Sequence, residues 1–239
     1  MPAETLPQTD RFACDHFTTV PAAVIPELPA DLADQSKMLI HRGRWVWNAD
    51  LFVLDWQGQR VVLKDFASRS GFIRRFWGRY MAKREARFLA RARGIDGIPH
   101  LLGRVGSCAL LMTRLPGREL STCTGNQLPP EYFERLTALI DALHQRGIAH
   151  GDLNRHNVMI DHEDRPGLVD FEAAVAREPS RGPLRRWAFR IQVRGDHYQL
   201  ARMKAAFVPQ SLTPPERSLA HRQRLGLKLM LVWRDHWRL

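Results

Sequence analysis

Residues 150–172, HGDLNRHNVMIDHEDRPGLVDFE, pack separated carboxylates, a side-chain amide and an apolar hairpin pattern into one short run. Asp152 lies in a polar loop ahead of Asn157, residues 158–160 read as an apolar strand, a polar turn intervenes, and Leu168 and Val169 deliver Asp170. That order suits metal-assisted phosphoryl transfer, in which a hydroxyl is aligned for in-line attack while divalent cations hold the charge of a triphosphate. On this reading Asp152 accepts or orients the acceptor's proton. Asn157 offers a neutral oxygen to a second Mg2+, and Asp170 is the charged ligand that joins metal to phosphate. The plain alternative is an ordinary polar hairpin, because Asp and Asn are common turn residues.

Upstream, residues 44–47, 51–56 and 60–66 are short runs rich in Val, Trp, Phe and Leu, with Gln57 and Gly58 making a turn. They read as three antiparallel strands. The third, RVVLKDF, places Lys64 after an apolar stretch. Residues 81–93, MAKREARFLARAR, put Ala82, Glu85, Ala86, Leu89 and Ala92 on one helical face that ends at Gly94. A glutamate on an inward face needs a cation, and Lys64 is its natural partner. Each residue also has a bland reading, as a solvated strand lysine and as a helix-surface carboxylate paired with a nearby arginine.

Residues 98–105 and 107–113 read as two further strands, after which RLPGREL (114–120) breaks the pattern at Pro116 and Gly117. Pro129 and Pro130 then open a helix with Phe133, Leu136, Ile140 and Leu143 on one face and Gly147 at its end. It should be a buried core helix that props up the loop carrying Asp152. His150 is read as a packing and hydrogen-bonding residue.

These parts together resemble the protein-kinase-like superfamily, with HGD where many members have HRD and DFE where they have DFG. The HGD spelling is similar to the atypical and small-molecule branches: aminoglycoside phosphotransferase-like enzymes, RIO-type and Bud32-type kinases, and the Kdo/WaaP-type lipopolysaccharide kinases. Residues 44–172 carry the resemblance. It implies an α+β, two-lobed fold with an antiparallel-sheet small lobe and a mostly helical, reduced large lobe. The expected division is an irregular arm over 1–38, a nucleotide-binding lobe over 39–114, and a catalytic lobe over 115–239 that ends in an amphipathic helix. ATP and Mg2+ are the implied cofactors. Lys64 would grip the nucleotide phosphates, Glu85 would orient Lys64, and Asp152 would serve the acceptor. Met112 and Arg114 would lie at the adenine, and Asn157 and Asp170 would hold metal.

The chain departs from that family pattern in several places. Where a glycine-rich turn usually covers the phosphates, WVWNADLF (45–52) has no glycine, so the lid must use Asn48 and Ala49 differently. Glu172 replaces a glycine, which removes a flexible joint and adds a carboxylate near the metals. No APE-like motif follows, so the peptide platform is reduced. Asp196, in RGDHYQLARMKAAF (194–207), resembles the aspartate that holds the catalytic loop's backbone; its alternative is the N-cap of a helix beginning at Gly195.

The formal net charge of +11 points to an anionic partner: nucleotide, nucleic acid, anionic lipid or phosphorylated glycan. The basicity is regional, since residues 1–40 carry six acidic and two basic side chains. Arginine concentrates in residues 69–93 and 177–194, interleaved in both with bulky aromatics. Such a pattern suits an anionic membrane interface or base stacking, and a solvated basic face is the plain alternative. No RNA-binding motif is present, which favours a membrane or a lipid-linked glycan over nucleic acid as the partner. Cys14, Cys108 and Cys123 form no paired framework, so reduced thiols in a cytosolic compartment are expected. No secretory signal and no apolar run of ~20 residues is found. The expected location is cytoplasmic, peripheral at the inner membrane.

The reading is a kinase that transfers phosphate from Mg-ATP to a hydroxyl of a lipopolysaccharide-type sugar. A RIO-like serine/threonine protein kinase is the enzymatic alternative. A basic pseudokinase scaffold that binds RNA or membrane is the non-enzymatic one.

Overall fold

Alternation along residues 59–65 sets the sheet. In the computed structural model, which describes residues 25–34, 36–42, 49–66, 74–124, 128–177 and 182–221, the strands in chain order begin with β1 (Glu27–Leu28), β2 (Met38–His41), β3 (Asp50–Trp56) and β4 (Gln59–Asp65). β5 (Leu101–Val105) and β6 (Ala109–Thr113) complete a six-stranded sheet of order β1-β5-β6-β4-β3-β2. Gln57 (φ 51°) and Gly58 (φ 75°) join β3 to β4, and consecutive positive φ values match the twist of a tight hairpin. Val61 and Leu63 face one side with Leu54, Leu111 and Leu32. Val62 and Phe66 face the other with Leu110 and Met112, in the main core. Period two therefore puts Lys64 on the main-core face.

The expected irregular arm over 1–38 is corrected in part. Glu27–Leu28 pairs in parallel with Arg104 and Val105, Leu32 is buried, and Met38–His41 forms the opposite sheet edge. Arg104 Nη1 donates to Glu27 Oε1 at 2.8 Å, and a Cβ on Gly103 would sit 2.7 Å from Leu28 Cγ, so a glycine is what lets β1 lie down. A two-residue strand leaves no periodicity among prolines for a sequence to display. The strand expected over 44–47, and Asn48 of the lid, lie outside the described residues.

Among the described residues four α-helices are present: α1 (Arg79–Arg91, after a π-turn at Arg74–Gly78), α2 (Pro130–Gln145), α3 (Pro183–Phe207) and α4 (Pro214–His221). α1 buries Met81, Ala82, Glu85, Ala86, Phe88 and Leu89, matching the expected inward face. α2 begins on Pro129 in extended conformation with Pro130 in its first turn, buries Phe133, Leu136, Ile140 and Leu143 as its spacing predicts, and gives way to Gly147 (φ +67°). Of the amphipathic helix expected to end the chain, Pro214–His221 is helical as α4, and residues 222–239 lie outside the described residues. Among the described residues no helix is long and apolar enough to cross a membrane.

Two small sheets shape the lower half. β7 (Arg118–Glu119), β9 (Val158–Ile160) and β10 (Pro166–Leu168) form one, and β8 (Ile148–Ala149) with β11 (Val175–Ala176) forms the other. Tyr132 on α2 donates its hydroxyl to Met159 O at 3.0 Å, fixing the hairpin to the helix. Where β7 crosses β9, Gly117 has φ +92° and a Cβ there would lie 2.0 Å from Ile160 O. We expect Gly117→Ala to cost about 2–3 kcal/mol by combining a left-handed backbone with a backbone clash. Urea unfolding measures this, and an unchanged midpoint would mean that the crossing relaxes freely.

Candidate active site

The main-core face of β4 meets α1 at an ion cluster. Lys64 Nζ lies 2.8 Å from Glu85 Oε2, 2.9 Å from Asp170 Oδ1 and 2.8 Å from Glu172 Oε1. Three carboxylates thus surround one ammonium, which donates to Asp170 Oδ1. Burial alone would lower the Lys64 pKa, but Asp170, Glu172 and Glu85 outweigh it and hold it well above the ordinary lysine value. Burial raises Glu85 against the pull of Lys64, whereas Lys64 overcomes burial at Asp170 and lowers it. Neither bland reading survives: the lysine side chain is 6% exposed and the glutamate 2%.

Glu172 is pushed up to about 7, first by burial and then by the charges of Asp170 and Glu85, with Lys64 opposing. A carboxylate whose pKa rises on folding binds its proton more tightly folded than unfolded. Its contribution to stability is therefore present at low pH and is lost as pH climbs from the ordinary glutamate value to about 7. We expect wild type to lose on the order of 1–3 kcal/mol relative to Glu172→Gln between about pH 4.5 and pH 7. Urea titrations of both proteins across that window measure the difference, and parallel profiles would mean that Glu172 ionises normally.

Backbone contacts fix segment 170–174. Phe171 N donates to Glu85 Oε1 at 3.3 Å, and Arg84 donates to the carbonyls of Glu172 and Ala174. Asp170 has φ +66°, a left-handed conformation that aspartate tolerates better than most residues and that turns its carboxylate toward Lys64.

The loop carrying Asp152 hangs from Asp196. Asp196 Oδ2 accepts from His150 N at 2.8 Å, Oδ1 accepts from Gly151 N at 2.9 Å, and His144 Nε2 lies 2.9 Å from Oδ2. Asp196 is therefore a loop anchor. The helix expected to start at Gly195 is α3, which starts at Pro183 and runs through that glycine, so Asp196 is no N-cap. An interior glycine costs a helix only about 1 kcal/mol, which packing offsets. Gly151 has φ +83°, and a Cβ there would lie 2.4 Å from Ala173 O, so the close approach of 151 to 173 excludes arginine from this loop position. His150 donates Nε2–H to Val169 O at 3.0 Å and accepts from Asp152 N on Nδ1 at 3.4 Å, joining the two loops as a buried hydrogen-bonding residue.

Asn157 Nδ2 donates to Asp152 O at 2.8 Å and approaches Asp152 Oδ2 at 3.4 Å, which brings these two residues together and directs the amide oxygen elsewhere. Oxygens of Glu85, Asp170 and Glu172 lie within 4.8 Å of one another. Three carboxylates around one ammonium leave excess negative charge, and their oxygens suit a hard divalent cation. Met112 is buried in β6, and Arg114 is exposed just beyond it. Of the expected adenine-facing backbone, Thr113 N is committed to His100 O at 2.9 Å. Arg84 and His144 escaped the sequence reading. Arg84 adjoins the inward glutamate but lies off its face, and His144 ends a helix in which nothing marks it apart from its neighbours.

This arrangement of sheet, helix, ion cluster and anchored loop is a protein-kinase-like fold. The chain is similar to Rio2 kinase of Chaetomium thermophilum, with a TM-score of 0.56 over 79% of this chain and 62% of that one at 19% identity, in a structure described as an ADP/Mg2+-phosphoaspartate complex. A second Rio2 kinase structure gives 0.53 over 72% and 59%, also at 19% identity. Residues 126–180 match the model of the phosphotransferase enzyme family, APH. A 73-residue stretch is 33% identical to 3-deoxy-D-manno-octulosonic acid kinase of Xylella fastidiosa (strain 9a5c), covering 30% of this chain and 29% of that protein. The match to the same-named kinase of Vibrio parahaemolyticus is 34% over 71 residues, covering 29% and 30%. A probable bifunctional tRNA threonylcarbamoyladenosine biosynthesis protein of Methanospirillum hungatei is 30% identical over 90 residues, 38% of this chain and 16% of that one. The chain thus spans less than a third of the length of the curated relatives it matches.

Proposed function

We propose that the chain is an ATP- and Mg2+-dependent kinase that phosphorylates a hydroxyl. The observation that carries this reading is the meeting of Lys64, Glu85 and Asp170 in one ion cluster, on a kinase-like fold whose anchored loop holds Asp152 against Asn157. Bound Mg2+ would neutralise phosphate charge, with Asp170 and Asn157 as its protein ligands. Lys64, held rigid by Glu85, would orient the nucleotide phosphates. Asp152 would take or align the acceptor's proton as the hydroxyl oxygen bonds to the γ-phosphorus and the bond to ADP breaks. In this reading the sheet up to residue 114 is the nucleotide lobe, and residues 115 onward form the acceptor lobe.

The acceptor we propose is a sugar hydroxyl of a lipopolysaccharide-type glycan, met at the cytoplasmic face of the membrane. Similarity to proteins named as 3-deoxy-D-manno-octulosonic acid kinases supports the sugar. Exposed Phe76, Trp77 and Tyr80 beside Arg79, and exposed Leu184 and Trp187 beside Arg185 and Arg186, support an anionic interface. A RIO-like protein kinase is the second reading, favoured by the fold's likeness to Rio2 kinase.

The test is transfer of labelled γ-phosphate by the full chain with Mg2+, offered lipopolysaccharide core extract or a protein pool. Label in glycolipid supports the proposed acceptor, and label in protein supports the RIO-like reading. Nucleotide binding without transfer to either would instead make the chain a pseudokinase scaffold.

A further inference from the structure

Asp141 and His144 lie three residues apart on α2, and His197 meets them from α3. One ligand atom from each lies within 4.8 Å of the other two, and all three residues are half-buried. The two imidazoles touch edge to face, with centroids 5.1 Å apart at 71°. The contact of His144 Nε2 with Asp196 Oδ2 at 2.9 Å requires Nε2 to carry the proton, because a carboxylate accepts. Nδ1 of His144 then keeps its lone pair. A carboxylate behind an imidazole is the arrangement that fixes the tautomer and raises the basicity of a metal-ligating histidine. Burial, and then His144, hold His197 below the ordinary histidine value.

We propose that Asp141, His144 and His197 form a Zn2+ site, separate from the ion cluster around Lys64. Two imidazole nitrogens and one carboxylate oxygen are a three-ligand Zn2+ set, with a fourth position for water. The two regions would sort cations by donor type, since imidazole suits Zn2+ whereas carboxylate and amide oxygens suit Mg2+. Zn2+ here would clamp α2 to α3. It would also polarise the His144 N–H toward Asp196, the residue from which the backbone of His150 and Gly151 hangs.

Titration of the full chain with Co2+ tests the site through the visible absorption that a four-coordinate ion acquires. Wild type should bind one equivalent that Zn2+ displaces, and Zn2+ should raise its unfolding temperature. Asp141→Asn and His197→Gln should each weaken Co2+ binding about tenfold or more and abolish the thermal shift. Asp170→Asn, which alters only the Lys64 cluster, should bind Co2+ as wild type does. Absence of the band in wild type, wild-type affinity in either site variant, or loss of the band in Asp170→Asn would overturn the proposal. Each of those results would leave the kinase reading untouched, because none of the three residues belongs to the Lys64 cluster.

Discussion

Asp152→Asn should slow phosphoryl transfer about a thousandfold while leaving nucleotide affinity nearly unchanged. The substitution swaps one oxygen for an amide nitrogen and leaves the loop's backbone contacts in place. Asn157 Nδ2 still finds the main-chain carbonyl of residue 152 at 2.8 Å, and residue 152 N still finds His150 Nδ1. The carboxylates that hold Lys64 are those of Glu85, Asp170 and Glu172, which the substitution leaves unchanged. What disappears is the capacity to accept a proton from the hydroxyl. Single-turnover transfer and ADP binding, measured side by side, separate these effects. Transfer at wild-type rate would remove Asp152 from the chemistry, and equal losses in binding and rate would make its role structural.

The largest stability effect should come from Asp196→Ala. The carboxylate is 1% exposed and accepts from His150 N and Gly151 N while facing His144. Truncation leaves two main-chain N–H groups and an imidazole without an acceptor in a region sealed by α3, at a cost of about 3–5 kcal/mol. Asp196→Asn should cost less, since it retains one oxygen but turns an amide N–H toward one of the donors. Urea unfolding of the three proteins should order them wild type, Asn, Ala. Transfer activity should fall further in the variants than the folded fraction does, because the loop that presents Asp152 loses its tether. A loss below about 1 kcal/mol for the alanine variant would mean that other acceptors replace Asp196.

Much of this was legible in the chain. Strand β4 alternates strongly enough to place Lys64 opposite the face of Leu63, and the spacing of Ala82, Glu85 and Leu89 turns a glutamate inward. Those are local periodicities, which a sequence displays directly. Contacts between distant segments were less visible. The parallel seat of Glu27–Leu28 depends on Gly103, and the fit of Gly151 depends on Ala173 O lying against it. Glu172 was seen as an added carboxylate near a metal, but its contact with Lys64 arises only once β4 and residues 170–174 are side by side. The start of α3 was misplaced because Gly195 looks like an end signal, whereas burial of Asp196, Leu200 and Met203 further along carries the helix through it.

Arg84 and Glu85 are neighbours on α1, and together they grip both ends of one short turn, through Phe171 N on one side and the carbonyls of Glu172 and Ala174 on the other. Switching by swinging that helix away would have to break the Lys64 cluster and three charge-assisted bonds together. Moving α1 outward would thus pull Lys64, Phe171 N and the carbonyls of residues 172 and 174 from their partners at once, so the helix and the turn hold or part as one unit.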